Sequence, residues 1–176
     1  MIMIEPPQSI AGHGLSTITR PAIARFLERA QSAVGLTGEV HVLLADDATL
    51  KRLNKTFRGK NKATDVLSFP AGPSTVFFCE PDAPELAGDL AISLETAARQ
   101  AGRFGHTLLE EVKILLLHGL LHLAGFDHET DSGEMAAREA ELRAQLDLPS
   151  SLIARASKPV EAVPSTKPSA LRRARA

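Results

Sequence analysis

Residues 107–124 of the chain, TLLEEVKILLLHGLLHLA, constrain the fold more than any other segment. Thr107 is followed three residues later by Glu110, which is the capping-box pattern that begins a helix. The helix that follows is apolar nearly all round, and such a helix is stable only when other elements cover it. No apolar run in the chain reaches the roughly 18 residues that a membrane span needs. The segment therefore predicts a helix buried in the core of a protein that does not span a membrane.

Two histidines interrupt this apolar helix. His118 and His122 are four residues apart, so about 6 Å of helical rise separates them and both imidazoles project from one face. Gly125 permits a left-handed turn after the helix, and that turn can bring His128 back toward the other two. Zinc takes nitrogen ligands at about 2.0–2.1 Å, and three protein ligands plus a water are typical of catalytic zinc. The spacing predicts one zinc ion per chain on His118, His122 and His128, with hydrolysis as the chemistry.

The alternative interpretation is that these histidines are structural, as a lone histidine usually is. Three of the six histidines in the chain lie within eleven residues, and two of them lie in an apolar helix where an unpaired imidazole is costly. We therefore prefer the metal site. His13, His41 and His106 have no such neighbours, and we interpret them as structural or solvated. Copper and nickel also bind imidazole, so the sequence leaves the identity of the metal open.

The spacing of the three histidines is also that of the metzincin peptidases. In those enzymes the residue after the first histidine is the glutamate that acts as general base. Gly119 occupies this position here, and general acid–base catalysis is typically worth about 10²- to 10⁴-fold in rate. The pattern therefore favours a metallohydrolase that acts on an electrophile other than a peptide bond. A peptidase or amidohydrolase that takes its base from elsewhere in the fold is the enzymatic alternative.

Short helices and strands alternate before this central helix. Thr19 precedes a helix that Gly35 ends. Residues 39–45 have strand composition, and Asp46 can cap a second helix. Residues 64–70, TDVLSFP, form the next predicted strand. Because a helix separates the two strands, we expect a right-handed crossover and parallel pairing between them.

A connection rich in Pro and Gly leads into the second half of the domain. We expect residues 70–86 to form this mobile connection and residues 88–93, GDLAIS, to form a short strand. Ser93 caps a helix predicted to end at Ala101, and Asp131 caps the final helix. These elements indicate an α+β fold in which a small mixed sheet packs against helices.

Composition indicates one domain followed by a tail. We predict a catalytic metallohydrolase domain over residues 1–152 and a disordered basic tail over residues 153–176. The last twenty residues contain three prolines and no apolar periodicity, and their five cations and one acid give them a charge of +4. The tail is therefore interpreted as a solvated extension, with a contact to a polyanion as the alternative.

Charge and cysteine content limit the classes of function. The net charge of −1 falls short of the basic balance that would hold nucleic acid by charge alone. Cys79 is the only cysteine, which excludes an internal disulfide and a zinc site built from thiolates. The N-terminus lacks the features of a secretory signal, and we expect a cytoplasmic protein.

Three segments together resemble one known family. These are NKTFRGKNKATDVLSFP, GDLAIS and HGLLHLAGFDH, and across roughly residues 36–146 the chain resembles the YbeY family of bacterial endoribonucleases, the rRNA maturation factors. The resemblance implies a zincin-like α+β fold with the metal-binding motif on a buried helix. It also implies single-strand-specific cleavage of RNA in 16S ribosomal RNA 3′-end maturation and in late ribosome quality control. The implied partners are single-stranded RNA and the ribosome or small-subunit proteins.

The resemblance also assigns a catalytic residue, because the family's functional arginine falls on Arg58. An arginine on a turn can clamp a phosphate with two parallel hydrogen bonds and offset charge that develops in the transition state. The residue that acts as general base stays open among Asp65, Asp89 and Asp127. A zinc-containing ribosome assembly factor that binds RNA without cleaving it is the non-enzymatic alternative.

Overall fold

The computed structural model describes residues 1–12, 14–72, 85–128 and 130–149. Its strands are β1 (Ile2–Ile4), β2 (Glu39–Ala45), β3 (Val66–Pro70) and β4 (Leu86–Ser93). Its α-helices are α1 (Arg20–Val34), α2 (Asp47–Arg58), α3 (Leu94–Phe104), α4 (Leu108–Leu123) and α5 (Glu134–Gln145). Within these ranges no helix is long and apolar enough to cross a membrane. The predicted α+β class is confirmed.

The four strands form one mixed sheet in the order β1-β2-β4-β3. β1 and β4 both pair parallel with β2, whereas β3 pairs antiparallel with β4. The prediction that residues 64–70 pair in parallel with residues 39–45 is therefore wrong, because β4 lies between them. The C-terminal half of β4 is buried on both faces, which suits a central strand, while β3 is mostly half-exposed and ends at Pro70, which suits an edge.

Helices cover the two faces of this sheet unequally. Leu90 and Ile92 of β4 point into the main core, together with the buried faces of α1, α3 and α4. Ala91, between them on β4, points to the other face, where Leu50 of α2 packs over a small second cluster. Successive side chains of a strand alternate in this way. The helices α4 and α2 therefore lie on opposite faces of the sheet.

The central helix has the predicted start and the predicted burial. Thr107 Oγ1 accepts a hydrogen bond from Glu110 N at 3.2 Å, and the Glu110 carboxylate accepts one from Thr107 N at 2.7 Å. The apolar side chains of α4 are almost all buried, with only Leu109 partly exposed. The predicted capping box and the predicted core helix are both confirmed.

The other helix boundaries agree with prediction except at two ends. Ser93 caps α3 as expected, but the helix extends past the predicted end at Ala101 to Phe104. The N-cap of α5 is Gly133, and Asp131 instead accepts hydrogen bonds from the backbone N–H groups of Gly133 and Met135. The predicted mobile connection falls largely outside the described residues, as do the predicted tail, His13 and Cys79.

Candidate metal centre

The chain reverses direction at the C-terminal end of α4, and this reversal brings a third histidine back to the helix. Gly125 has a φ of +93°, and its N–H donates to the carbonyl of His122 at 3.0 Å. The next N–H, of Phe126, donates to the carbonyl of Leu121 at 3.0 Å. This pair of bonds is the Schellman motif, which closes a helix around a left-handed glycine. The predicted reversal at Gly125 is confirmed, and it returns His128 to the side of α4 that carries the other two histidines.

The three predicted ligands lie together. One ring nitrogen of each of His118, His122 and His128 lies within 4.8 Å of the others. The Nε2 atoms of His118 and His122 are 3.2 Å apart. Two nitrogens bound at tetrahedral angles to a single zinc ion are roughly 3.3 Å apart, given the usual Zn–N distance. The donor set and its spacing therefore fit a zinc ion.

The environment favours the protonation state that a ligand needs. Partial burial, and then the neighbouring imidazoles of His118 and His128, lower the pKa of His122. A lowered pKa keeps this ring neutral near neutral pH, and a metal binds only the neutral form of imidazole.

The cluster is open on one side. His118 is buried, His122 is partly buried and His128 is exposed. Among the residues that the structure describes, no fourth His, Cys, Asp or Glu joins this group. Three ligands with one side facing solvent leave room for a water and a substrate, which is the arrangement of catalytic rather than structural zinc sites.

A buried acid on α5 orients the first histidine. The carboxylate of Glu139, which is 0% exposed, accepts a hydrogen bond from His118 Nδ1 at 3.0 Å. Since an ionised carboxylate can only accept, Nδ1 carries the proton and the lone pair of His118 lies on Nε2, which faces His122. Arg143, which is 2% exposed, donates from Nε to the other carboxylate oxygen at 2.9 Å. The side chains of α5 thus hold both the tautomer and the ring orientation of a candidate metal ligand.

Glu139 was not among the residues predicted from the sequence. The spacing of residues in α5 nevertheless indicates that Glu139 is buried, because Met135, Glu139 and Leu142 all lie on its buried face. These positions follow the i, i+4, i+7 spacing of an apolar helix face, and an acid in such a row requires a buried partner.

Gly119 is explained by packing. A Cβ atom at this position would lie 2.7 Å from Leu90 Cδ2 and 3.4 Å from Ser68 Oγ. The position therefore faces the sheet at close range, and a larger side chain there would have to displace Leu90. This contact accounts for the absence of the metzincin glutamate, and it weighs against a peptidase of that type.

The three candidate bases have different surroundings. Asp65 accepts hydrogen bonds from Val66 N at 2.9 Å and Gln100 Nε2 at 3.0 Å, which engage both of its oxygens. A carboxylate oxygen of Asp89 lies 3.2 Å from Nδ1 of His41. Asp127 precedes His128 directly and acts electrostatically on His122.

The structure places Arg58 apart from the helix that carries the histidines. It is the last residue of α2, which packs on the face of the sheet opposite to α4. Its side chain is exposed, and its guanidinium forms no ion pair with any residue in the described ranges. Arg58 therefore has the exposure that a phosphate-binding residue needs, on a different element from the three histidines.

Two further histidines lie outside the metal cluster, as interpreted from the sequence. His106 Nδ1 lies 3.1 Å from the carboxylate of buried Glu111, at the start of α4. His41 lies between the carboxylates of Glu39 and Asp89 on the surface of the sheet. Both histidines have local carboxylate partners.

Known proteins resemble this chain along most of its length. The family described as Endoribonuclease YbeY matches residues 8–147. An Endoribonuclease YbeY from Koribacter versatilis is 50% identical over 147 residues, covering 84% of this chain and 90% of the relative. One from Solibacter usitatus is 51% identical over 140 residues, covering 80% and 88%. A solution structure from Thermotoga maritima, 26% identical, has a TM-score of 0.49 and covers 96% of this chain and 100% of its own. The chain belongs to the endoribonuclease YbeY family.

Proposed function

We propose that the chain is a zinc-dependent, single-strand-specific endoribonuclease that acts in 16S ribosomal RNA 3′-end maturation and in late ribosome quality control. Membership of the endoribonuclease YbeY family makes it a hydrolase that cleaves RNA. The observation that carries the zinc requirement is the cluster of three imidazoles, with ring nitrogens within 4.8 Å of one another. We place the activity in the cytoplasm, with the ribosome or small-subunit proteins as partners.

The residues of the metal centre have separate roles in holding the metal and in admitting the substrate. Glu139 holds the ring of His118, and the lowered pKa of His122 keeps that ring neutral, so both present a lone pair to one ion. The exposed side of the cluster, at His128, admits the substrate. The chemistry that a bound zinc ion supplies is Lewis-acid activation of water and of the phosphodiester.

Two side chains outside the ligand set complete the proposed mechanism. We assign Asp127 as the base that accepts a proton from the attacking water, because it directly precedes His128 in the chain and acts electrostatically on His122. Arg58 offsets the negative charge that develops on the phosphodiester in the transition state. Since α2 and α4 both contact β3, an RNA strand that reaches both sites passes the edge of the sheet at β3.

The role of Arg58 is tested by Arg58→Ala and Arg58→Lys, assayed for cleavage of single-stranded RNA and for zinc content. We expect Arg58→Ala to abolish cleavage while zinc stays bound, since Arg58 contacts none of the ligands. We expect Arg58→Lys to recover only part of the rate, since an ammonium cannot make two parallel bonds to one phosphate. Full activity of Arg58→Ala would remove Arg58 from the mechanism.

The alternative function, an assembly factor that binds RNA without cleaving it, predicts a different result for the zinc-loaded wild type. Such a protein would bind single-stranded RNA and leave it intact, and loss of a structural zinc in His118→Ala would unfold the domain. The proposed enzyme cleaves single-stranded RNA in preference to a duplex of the same sequence, and its His118→Ala variant stays folded and inactive. Circular dichroism and gel analysis of the cleaved RNA distinguish the two functions.

A further inference from the structure

The most basic part of the described structure lies on α2 and the loop that follows it. Residues 48–64 contain six cations and no acid, whereas the whole chain has a net charge of −1. All six side chains are exposed, and none forms an ion pair with another described residue. The five of these cations that flank Arg58, called here the basic surface, are Lys51, Arg52, Lys55, Lys60 and Lys62.

A buried side chain holds the loop part of the basic surface against the helix. Asn54, which is 2% exposed, donates from Nδ2 to the carbonyl of Lys62 at 2.8 Å. The backbone carbonyl of Asn54 accepts a hydrogen bond from Lys60 N at 3.3 Å. The loop therefore folds back on α2, and its two lysines are positioned beside the cations of the helix before any ligand binds. A preformed arrangement lowers the entropy that binding must overcome.

An aromatic ring stands exposed among these cations. Phe57 is 65% exposed, although it directly precedes Arg58 in α2. Its ring makes an edge-to-face contact with the ring of Phe69, at a centroid distance of 5.1 Å and an interplanar angle of 65°. Proteins that bind single-stranded nucleic acid combine cations for the phosphates with exposed aromatic rings on which bases stack.

The edge strand β3 links this surface to the metal centre. Ser68 Oγ donates to the carbonyl of Gly119 at 3.4 Å, next to His118 in α4. Phe69, the following residue, points to the opposite face and contacts Phe57. One strand of RNA that crosses the β3 edge can therefore contact both regions.

We propose that the basic surface and Phe57 form a subsite for single-stranded nucleic acid, in which the cations bind consecutive phosphates and one base stacks on Phe57. The proposal rests on the proposed function, because it assigns to the substrate RNA a second point of attachment away from the metal. The stacked base must be unpaired, so the subsite selects a single strand over a duplex and tolerates any base.

The stacking contact is tested by Phe57→Leu in the full chain, with an oligouridylate, an abasic strand of equal length and a duplex as probes. Binding is measured by fluorescence anisotropy with metal chelated, so that the RNA is not cut. Leucine keeps the apolar contact with Phe69 and removes the π face. We expect about 10-fold weaker binding of the oligouridylate and no change for the abasic strand. The matched control is Phe104→Leu, a partly exposed ring on α3.

The phosphate contacts are tested by the salt dependence of the same binding. Each neutralised phosphate of a single strand contributes a slope of about −0.7 to the plot of log K against log salt concentration. The combined variant Lys55→Gln, Lys60→Gln and Lys62→Gln is expected to make the slope shallower by about 2. Phe57→Leu should leave the slope unchanged. The control Arg20→Gln, Arg25→Gln and Arg29→Gln removes three exposed cations from α1 and should leave both the slope and the affinity unchanged.

The outcomes separate this proposal from the proposed function. If Phe57→Leu binds the oligouridylate as tightly as wild type, or if the lysine variant keeps the wild-type slope, the subsite is wrong even in an active ribonuclease. If both variants behave as expected but zinc-loaded wild type leaves single-stranded RNA intact, the subsite stands and the catalytic function fails.

Discussion

The histidine cluster of α4 and the basic surface of α2 lie on opposite faces of one sheet, and their polar groups are held in different ways. His118 is fixed through Glu139 to Arg143, whose guanidinium donates in turn to the carbonyl of Pro149 at 2.7 Å. The cations of the basic surface have no ionic partner among the described residues. A metal ligand needs a fixed direction, whereas a phosphate can be bound by a mobile cation near a surface.

This difference separates two kinds of functional residue. In the metal centre, substitution of the buried groups that support the histidines should lower protein stability and metal affinity together, whereas substitution of a histidine should remove the metal from a protein that stays folded. On the basic surface, substitutions should change RNA binding and leave stability nearly unaffected. The following predictions test that separation, in order of decreasing expected effect on the free energy of unfolding.

The largest effect is expected from Glu139→Ala. It removes the carboxylate that pairs with buried Arg143, and removing one partner of a buried ion pair typically lowers stability by about 3–5 kcal/mol. It also frees the ring of His118, and loss of such a carboxylate typically weakens metal binding about 10- to 100-fold. Chemical denaturation measures the first effect, and competition with a chelator for zinc measures the second.

A double variant separates the two consequences of losing Glu139. Glu139→Leu with Arg143→Leu replaces the buried ion pair by apolar side chains, which often restores stability. We expect this protein to be close to wild type in its free energy of unfolding, yet still about 10- to 100-fold weaker in zinc affinity. Wild-type zinc affinity in the double variant would show that Glu139 does not position His118.

The second-largest effect is expected from Gly119→Ala in α4, which is compared with the same substitution at Gly102 in α3. Gly119→Ala places a Cβ atom 2.7 Å from Leu90 Cδ2 in the core, and overpacking of this kind typically lowers stability by about 1–3 kcal/mol. Alanine gains about 0.5–1 kcal/mol over glycine inside a helix, so we expect a net loss of about 1–2 kcal/mol. Gly102→Ala in α3 meets no atom within 4 Å and should raise stability by about 0.5–1 kcal/mol. Thermal and chemical unfolding of both variants would check the signs. A neutral Gly119→Ala would contradict the packing explanation for the missing glutamate.

A third effect concerns the N-terminal end of α2 and depends on pH. Burial tends to raise the pKa of Asp47, but hydrogen bonds from Ser93, Thr96 and Arg99 outweigh it and lower the pKa below the usual value. The ionised carboxylate therefore stabilises the fold above the unfolded-state pKa of about 3.9, and the contribution is lost as pH falls through the lower folded value. We expect Asp47→Asn to lose about 1–2 kcal/mol at pH 7 and to show a weaker fall in stability under acid. Equal acid dependence in both proteins would contradict this.

The smallest effect on stability is expected from the lysines of the basic surface. Lys55→Gln should change the free energy of unfolding by less than about 0.5 kcal/mol, because Lys55 is exposed and has no ionic partner in the described structure. A loss above about 1 kcal/mol on chemical denaturation would mean that this cation serves the fold, and the contrast between the two faces would be weakened.

The sequence predicted that His118, His122 and His128 would lie together, because they are close to one another along the chain. The i, i+4 spacing of His118 and His122 and the turn at Gly125 are local features with local consequences. Glu139 was missed because it reaches His118 across 21 positions of sequence, and that contact depends on how α5 packs against α4. Its position on the apolar face of α5 was the available signal.

The fold was predicted less completely than its elements. Helix starts at Thr19, Asp46, Ser93 and Thr107 follow from side chains that cap their own helices. The order of strands does not follow from local patterns, and β3 proved to be an antiparallel edge strand rather than the parallel partner of β2. The three-residue strand β1 was missed because it is too short to show a period.

The central claim, that His118, His122 and His128 hold a catalytic zinc ion, is tested most directly by measuring metal content and RNA cleavage together. Wild type and the three single alanine variants would be purified without chelators, checked for folding by circular dichroism, analysed by mass spectrometry and assayed on single-stranded RNA. We expect about one zinc ion per wild-type chain, and loss of both zinc and cleavage in each folded variant. Wild type free of metal, or variants that cleave at the wild-type rate, would contradict the claim.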